Sequence, residues 1–513
     1  MKRLVKIICT LLGIIAITSC NDLDLNYNPV QPVTAPSPLR LPAIQANLAY
    51  SLYSQARFAS FHSYYLTTRT GNSNAQTDTW NYNNITRMGA WRWHYFDVSA
   101  NIASKDGILI RAEQDGDNNY TGVGKILLAF SFLTATDVFG DMPFSEAFTD
   151  IMNPVYDSQE TVYQGVERLL DEGINELRNV NPTARSMNAS SDLIYAGDYN
   201  KWISFAEAVR ARLKLHTASF TANGYTDLLA SVNTALAGFE DAMFRYPEES
   251  SSLWEKNLWG ETRPNPEWQF ADIRNDLANT LPTDVLMNAL TVDEATNTFD
   301  PRLYKLTTPG ANNKYLGAQM SVGLHSSNTN LPSGTTYQDF ANLYNGYWTA
   351  DNSPYPYMIK EELYFMKAEA LFYLERYGEA LIAYQQGIEH NCQRLGVEPG
   401  LITNFMGSAK VVQSAENLKI SDIMMQKWLA LYLQAETWVD MRRYGYGTHA
   451  YPDLYYPRFA LAEWGGRYIQ RFIYDPQTEY VYNPKEIARL GAGARDWAFK
   501  EVWWAEKSTL KNP

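Results

Sequence analysis

Flat aromatic rings set among amides, hydroxyls and carboxylates are the residues of this sequence best suited to chemistry. The segment NSNAQTDTWNYNN, residues 72–84, places Trp80 and Tyr82 among Asn81, Asn83, Asn84 and Asp78. Such rings stack on the faces of sugars or peptides, while amides exchange hydrogen bonds with hydroxyl and backbone groups. Residues two apart in an extended segment point the same way, so Trp80 and Tyr82 can present neighbouring rings with Asn83 beside them. The competing reading is that one or both rings pin the loop to its scaffold. Two more segments carry the same mixture. SLWEKNLWGETRPNPEW, residues 252–268, holds Trp259, Arg263 and Trp268, and NLYNGYWTADN, residues 342–352, holds Tyr344, Tyr347, Trp348 and Asp351. Each of these can equally be loop core or a face against another protein. Trp91, Trp93 and Tyr95 lie beside a helix start and read as packing residues.

Covalent chemistry finds less support. Nothing resembles a phosphate-binding P-loop, a nucleophile elbow or an HExxH zinc helix, and the six histidines are scattered. DGDNNY, residues 115–120, hints at a calcium loop, but Tyr120 stands where such a loop needs glycine and Ile126 where it needs glutamate. A polar turn between helices is the better reading. The two carboxylates of a glycoside hydrolase meet only in the folded state, so spacing cannot exclude that enzyme class. The expectation is a non-enzyme with no catalytic residue, metal or cofactor.

The N-terminus has a mechanical logic of its own. Lys2, Arg3 and Lys6 precede an apolar stretch over residues 7–17, too short for a permanent membrane span. It runs into Ile17-Thr18-Ser19-Cys20, small residues before a cysteine in the pattern of a bacterial lipobox. Residues 1–19 therefore read as a cleaved signal, Cys20 as the site of lipidation, and 20–38, rich in Asn, Asp and Pro, as a solvated tether. The formal charge is -13, and loss of the signal removes three basic and no acidic residues. With no Lys/Arg-rich run, a nucleic-acid partner is excluded. Cys9 leaves with the signal and Cys20 is consumed, which leaves Cys392 as the sole thiol and permits no intrachain disulfide.

Positioning these loops falls to helices. Residues 123–138, 161–177, 199–220 and 422–444 show apolar residues at helical spacing, and residues 361–390 read as two amphipathic helices broken near Gly378. Ala368, Ala380 and Gly387, with Tyr377 ahead of the second helix, match the spacing of a tetratricopeptide (TPR) pair, although Cys392 stands where the usual proline would be. The expected fold is mostly α, with TPR-like helix pairs in an αα-superhelical scaffold and little β. TPR-like helices fall at about 122–220 and 360–445, within a single body over 39–513. Loop-rich insertions fall at about 60–95, 248–356 and 448–484.

Read together, these stretches resemble the SusD/RagB family of nutrient-binding outer-membrane lipoproteins. KILLAFSFLTATDVFGDMPFSEAF, YNKWISFAEAVRARLKL, FDPRL, the TPR-like pair and QKWLALYLQAETWVDMRRYG follow one another in that family's order. Most of these motifs read as scaffold. Asp137, Gly140, Asp141 and Pro143 suit a tight turn, and Arg442 and Arg443 a helix end facing carboxylates. The resemblance implies a lipid-anchored protein on the outer face of the outer membrane that captures an oligosaccharide or, alternatively, an oligopeptide. It would pass its cargo to a SusC-like TonB-dependent barrel. A surface glycoside hydrolase and a structural lipoprotein remain as rival classes.

Overall fold

The computed structural model describes residues 35–69, 80–81, 88–249, 252, 255–262, 277, 279–293, 296, 298–323 and 336–511. The expected signal, Cys20, most of the tether, Tyr82, Asn83, Arg263 and Trp268 lie outside the described residues. The first helix, α1 (Ser37–His62), begins after Pro36 and carries Pro38 in its first turn, where a missing N–H costs nothing. Leu41, Ile44, Leu48, Tyr53 and Ala59 are buried along it.

Helices dominate, because apolar residues recur at three- and four-residue intervals and caps define the ends. After α2 (Ile108–Asp115) and α3 (Asn118–Phe139) comes α4 (Gln159–Arg178). In α4, Ser158 accepts from the Thr161 N–H at 3.2 Å, and Val162, Val166, Leu170 and Ile174 form one buried stripe. The helix α3 is long and apolar, with a mean hydropathy of 1.4 over its most apolar 18 residues, and it is packed inside the protein. Then follow α5 (Tyr199–Thr217) and α6 (Gly224–Leu236), and, after a long insertion, α7 (Lys360–Tyr373), α8 (Tyr377–Arg394) and α9 (Ile420–Ala430). From α3 to α9 each helix packs on the next in sequence, which is the stacked αα-superhelix. Among the described residues the longest strand has four residues.

The TPR-like pair is α7 and α8. A Cβ on Gly387 would stand 2.8 Å from the Phe365 ring, so glycine is what lets α7 seat that ring on the α8 backbone. The break falls at Leu374–Arg376 rather than near Gly378, with Glu375 at φ 59°, and Tyr377 is the first residue of α8. Gly378 has open space around it and does not govern the turn. Residues 422–444 also differ from expectation, since α9 ends at Ala430 and α10 (Glu436–Arg443) begins anew. Trp428 to Leu433 are all buried, so no polar face marks the break, and Leu433 turns the chain at φ 60°. The stretch at 115–120 is the polar connection between α2 and α3, its Asp115 and Asp117 carboxylates both held by Arg185.

The insertion between α6 and α7 is closed at its base. Strand β2 (Ala242–Phe244) pairs antiparallel with β6 (Tyr355–Met358), bringing both ends of the insertion together. Arg394 of α8 reinforces the closure, donating to Asp241 at 2.7 Å from both terminal nitrogens and to Glu361 of α7. The described residues between β2 and β6 thus form a loop-rich layer hung from the helical stack.

Candidate functional site

Short main-chain pairings join the loop-rich stretches into one face. Strand β1 (Leu66–Thr68), from which the first aromatic loop departs, pairs antiparallel with β3 (Thr280–Pro282), on which the second returns. Bridges link Thr283 to Ala318, Leu316 to Phe340 and Thr308 to Asn342. Ser321 N–H donates to Thr67 Oγ1 at 3.0 Å. The stretch at 448–484 joins through Tyr455, whose hydroxyl donates to Asp284 Oδ1 at 2.6 Å and accepts from the Met320 N–H at 2.7 Å. The second and third aromatic loops are welded by Asn257. Its Nδ2 donates to the carbonyls of Trp348 and Ala350 at 2.7 and 3.1 Å, and its N–H to that of Asp351 at 2.6 Å.

Several rings singled out in the sequence serve as anchors of this face. Trp80 is 1% exposed and meets Tyr456 and Tyr468 at 5.4 and 5.5 Å between ring centroids, with His62 beyond at 6.3 Å. Trp259 is buried edge-on to Tyr53 at 4.7 Å. Trp348 and Tyr344 are buried as well, with Tyr347 half-buried and edge-on to Trp348. The two clusters sit on α1, at Tyr53 and His62, about 13 Å apart along the helix at 1.5 Å per residue. Trp91, Trp93 and Tyr95 pack as expected: Trp91 Nε1 donates to Glu479 at 2.9 Å, Trp93 lies 3.8 Å from Tyr50, and Tyr95 donates to the Pro143 carbonyl.

Rings that reach solvent on the same layer come from elsewhere, Tyr304 exposed and Phe299 and Tyr315 half-buried. Strands β4 (Thr291–Asp293) and β5 (Thr298–Phe299) form a hairpin that delivers Phe299, and the following turn delivers Tyr304, which is 54% exposed. Tyr315 completes a step of three rings, with centroids 5.6 Å from Tyr304 and 5.8 Å from Phe299. Beside it Asn312 and Asn313 are exposed, both in the left-handed region at φ 59° and 54° that asparagine tolerates. Asp339 holds this turn, accepting from Asn312 Nδ2 at 3.2 Å and from the Thr336 N–H at 2.6 Å. Phe299 and Tyr315 pack against the main core, and Leu316, next to Tyr315, packs on a separate small apolar cluster of Leu281, Ala318 and Phe340. Backbone bonds tie the step to the third loop, Tyr347 N–H to the Lys305 carbonyl at 2.6 Å and Thr308 with Asn342. A signal for it exists in the sequence: GANNKYLG has the ring-among-amides composition that singled out residues 72–84.

The buried charges lie inside the helical stack instead. His216 of α5 is buried between Asp137 and Glu436, 3.5 and 2.8 Å away. Burial opposes its charge, yet the two carboxylates raise its pKa to about 9. Arg212 is paired with Glu362 at 2.7 Å and lies 3.5 Å from Glu436. Arg443 pairs with Glu369 and Asp440, and Arg442 donates to the carbonyls of Asp137 and Gln470 between the rings of Trp438 and Trp504. Asp137, His216 and Glu436 have metal-ligand chemistry and converge within 4.8 Å. Arg212 already neutralises Glu436, however, and a protonated His216 offers no lone pair, so the arrangement is that of an ion-paired scaffold. Gly140, at φ 83°, and Asp141, which accepts from the Gln159 N–H at 2.9 Å, build the turn between α3 and α4. The cavity beside the network holds about 30 Å³, room for water rather than for a sugar.

A family model of SusD-like proteins, described as "Starch-binding associating with outer membrane", matches residues 30–474. Among solved structures, a SusD/RagB family protein from Bacteroides thetaiotaomicron aligns over 92% of this chain and 99% of its own, with a TM-score of 0.67 and 21% identity. A chitin-binding SusD homolog from Flavobacterium johnsoniae aligns over 91% of this chain and 98% of its own, with a TM-score of 0.68 and 19% identity. A SusD homolog from Bacteroides uniformis aligns over 91% and 99%, at 0.65 and 19%. No curated protein sequence matches.

Proposed function

From the premise that the chain belongs to the SusD-like family, we propose that it is a cell-surface binding lipoprotein that captures an oligosaccharide on its loop face without cleaving it. In this reading Cys20 carries the lipid, residues 20–38 form the tether, and a SusC-like TonB-dependent barrel receives the cargo. The observation that carries it is the step formed by exposed Tyr304 with half-buried Phe299 and Tyr315, set beside exposed Asn312 and Asn313 on a layer that joins the described parts of the loop-rich stretches. Rings spaced at about the size of a pyranose offer stacking, and adjacent amides offer the paired donors and acceptors that sugar hydroxyls need. The family's description as starch-binding and the chitin-binding relative favour glycan over peptide.

Titration of malto-oligosaccharides, chito-oligosaccharides and oligopeptides against the protein tests this reading. Saturable glycan binding with the glycan recovered intact is the expected result. Saturable peptide binding with no glycan response moves the cargo to peptide, and release of shortened glycan makes the protein a hydrolase. Replacing Cys20 with Ser is expected to shift the protein from the membrane fraction to the soluble one, and an unchanged distribution removes the anchor.

A further inference from the structure

A second cleft lies on the helical stack, on elements distinct from the loop layer. It is enclosed by α4, α5, the start of α6 and the C-terminal helix α11 (Trp503–Lys507), and has a volume of about 470 Å³. That is within the range of small-ligand sites, about 300–1,000 Å³. Its floor is aromatic. Trp503 meets Phe220 at 5.6 Å and Tyr163 at 5.5 Å, both edge-to-face, and Trp503 and Phe220 are half-exposed. The ammonium of Lys507 hovers over both rings, 5.3 Å from Trp503 and 6.0 Å from Phe220, and Lys507 itself is exposed. An exposed lysine chain resting on a ring is readily displaced by a ligand that stacks better.

The rim is unspent. Glu160, Glu167 and Asp227 line the cleft, as do Lys214 and Lys507, and none of the five forms an ion pair among the described residues. Gln164 adds an amide with no internal hydrogen bond. Exposed charges elsewhere on the molecule commonly find each other, as Arg376 does with Glu379, Arg489 with Glu486 and Arg495 with Glu463.

We propose that this cleft is a second saccharide site, taking one or two neutral pyranose rings. The charge pattern selects the class. An anion would face three carboxylates and a simple cation two ammonium groups, whereas a neutral polyol donates hydroxyl protons to the carboxylates and accepts from the lysines and Gln164. Its apolar ring face would cover the half-exposed rings of Trp503 and Phe220, which offer stacking rather than hydrogen bonds. The proposal shares only its ligand class with the capture reading and involves different residues.

The test uses the full-length protein in a detergent without sugar headgroups, with maltose and N,N'-diacetylchitobiose as probes. In a background of Tyr304→Ala with Tyr315→Ala, which silences the step on the loop face, at least one probe is expected still to bind. Adding Gln164→Ala with Asp227→Ala, both exposed positions, is expected to weaken that residual binding at least about tenfold. Trp503→Ala should do the same, with a circular dichroism spectrum confirming that the fold is retained. Loss of all binding in the loop-face background, or residual binding indifferent to the cleft substitutions, overturns the second site. Binding that survives in the loop-face background at full strength and vanishes with the cleft substitutions upholds the second site while removing the step from the capture reading.

Discussion

Nε2 of His216 lies 2.8 Å from Oε1 of Glu436, bringing a helix from the first half of the stack against one that follows a chain reversal more than two hundred residues later. On the other side of the ring, Nδ1 faces Asp137 and the hydroxyl of Tyr163. This histidine is therefore a charged rivet between α3, α5 and α10.

Its titration makes a contribution to stability that is lost at alkaline pH. The folded pKa is raised to about 9 against 6.5 for the free side chain, so the contribution is complete below about 6.5 and is lost as pH rises through 9. The loss is on the order of 3 kcal/mol. Denaturant unfolding between pH 6.5 and 9.5 should show this fall, and His216→Gln should flatten it; a profile equally steep in the variant removes the rivet.

Two other histidines act in the opposite direction. Burial lowers His62 and His94 to about 3, with Arg442 adding to the effect on His62. The unfolded chain takes up these protons below about 6.5 and the folded one does not, so stability falls with pH, by about 1 kcal/mol per histidine between pH 7 and 5.5. His216 opposes this fall in part, and replacing His94 with Gln should reduce the loss of stability in that window by about 1 kcal/mol, above the range where ordinary carboxylates titrate.

Trp80 and Tyr304 should separate stability from binding. Trp80→Ala removes a ring that is 1% exposed and is expected to cost about 3–5 kcal/mol. Tyr304→Ala with Tyr315→Ala should leave the melting temperature within about 2 °C and weaken glycan binding at least about tenfold. Calorimetry on both variants decides it; a Trp80 variant of unchanged stability would return that ring to the ligand face.

Asn257 is expected to control the register of two loops. Asn257→Ala leaves the carbonyls of Trp348 and Ala350 without their donor and the Trp259 N–H without its acceptor, at a cost of about 2 kcal/mol. Limited proteolysis should then cut within 255–262 or 342–352 first. Cleavage starting elsewhere would show the weld to be unimportant.

Much of the scaffold was legible beforehand because helices announce themselves locally. Ser158 capping α4, the stripe from Val162 to Ile174 and the small residues of the TPR-like pair are all short-range patterns. The break after Ala430 was not legible, since a run buried on every side has no periodicity to interrupt. The ring-among-amides rule found loops of the right composition but could not assign their rings. Trp80, Trp259 and Trp348 differ from Tyr304 and Tyr315 in what surrounds them, not in type or spacing.

By itself the sequence determined the helical stack and the three segments that set rings among amides, because each is written in contiguous residues. Only the tertiary structure decided which rings face solvent, that β1 with β3 and β2 with β6 gather the loops into one layer, and that His216 is gripped by two carboxylates. Exposure and charge pairing are properties of neighbours in space, and those neighbours here stand tens to hundreds of residues apart along the chain.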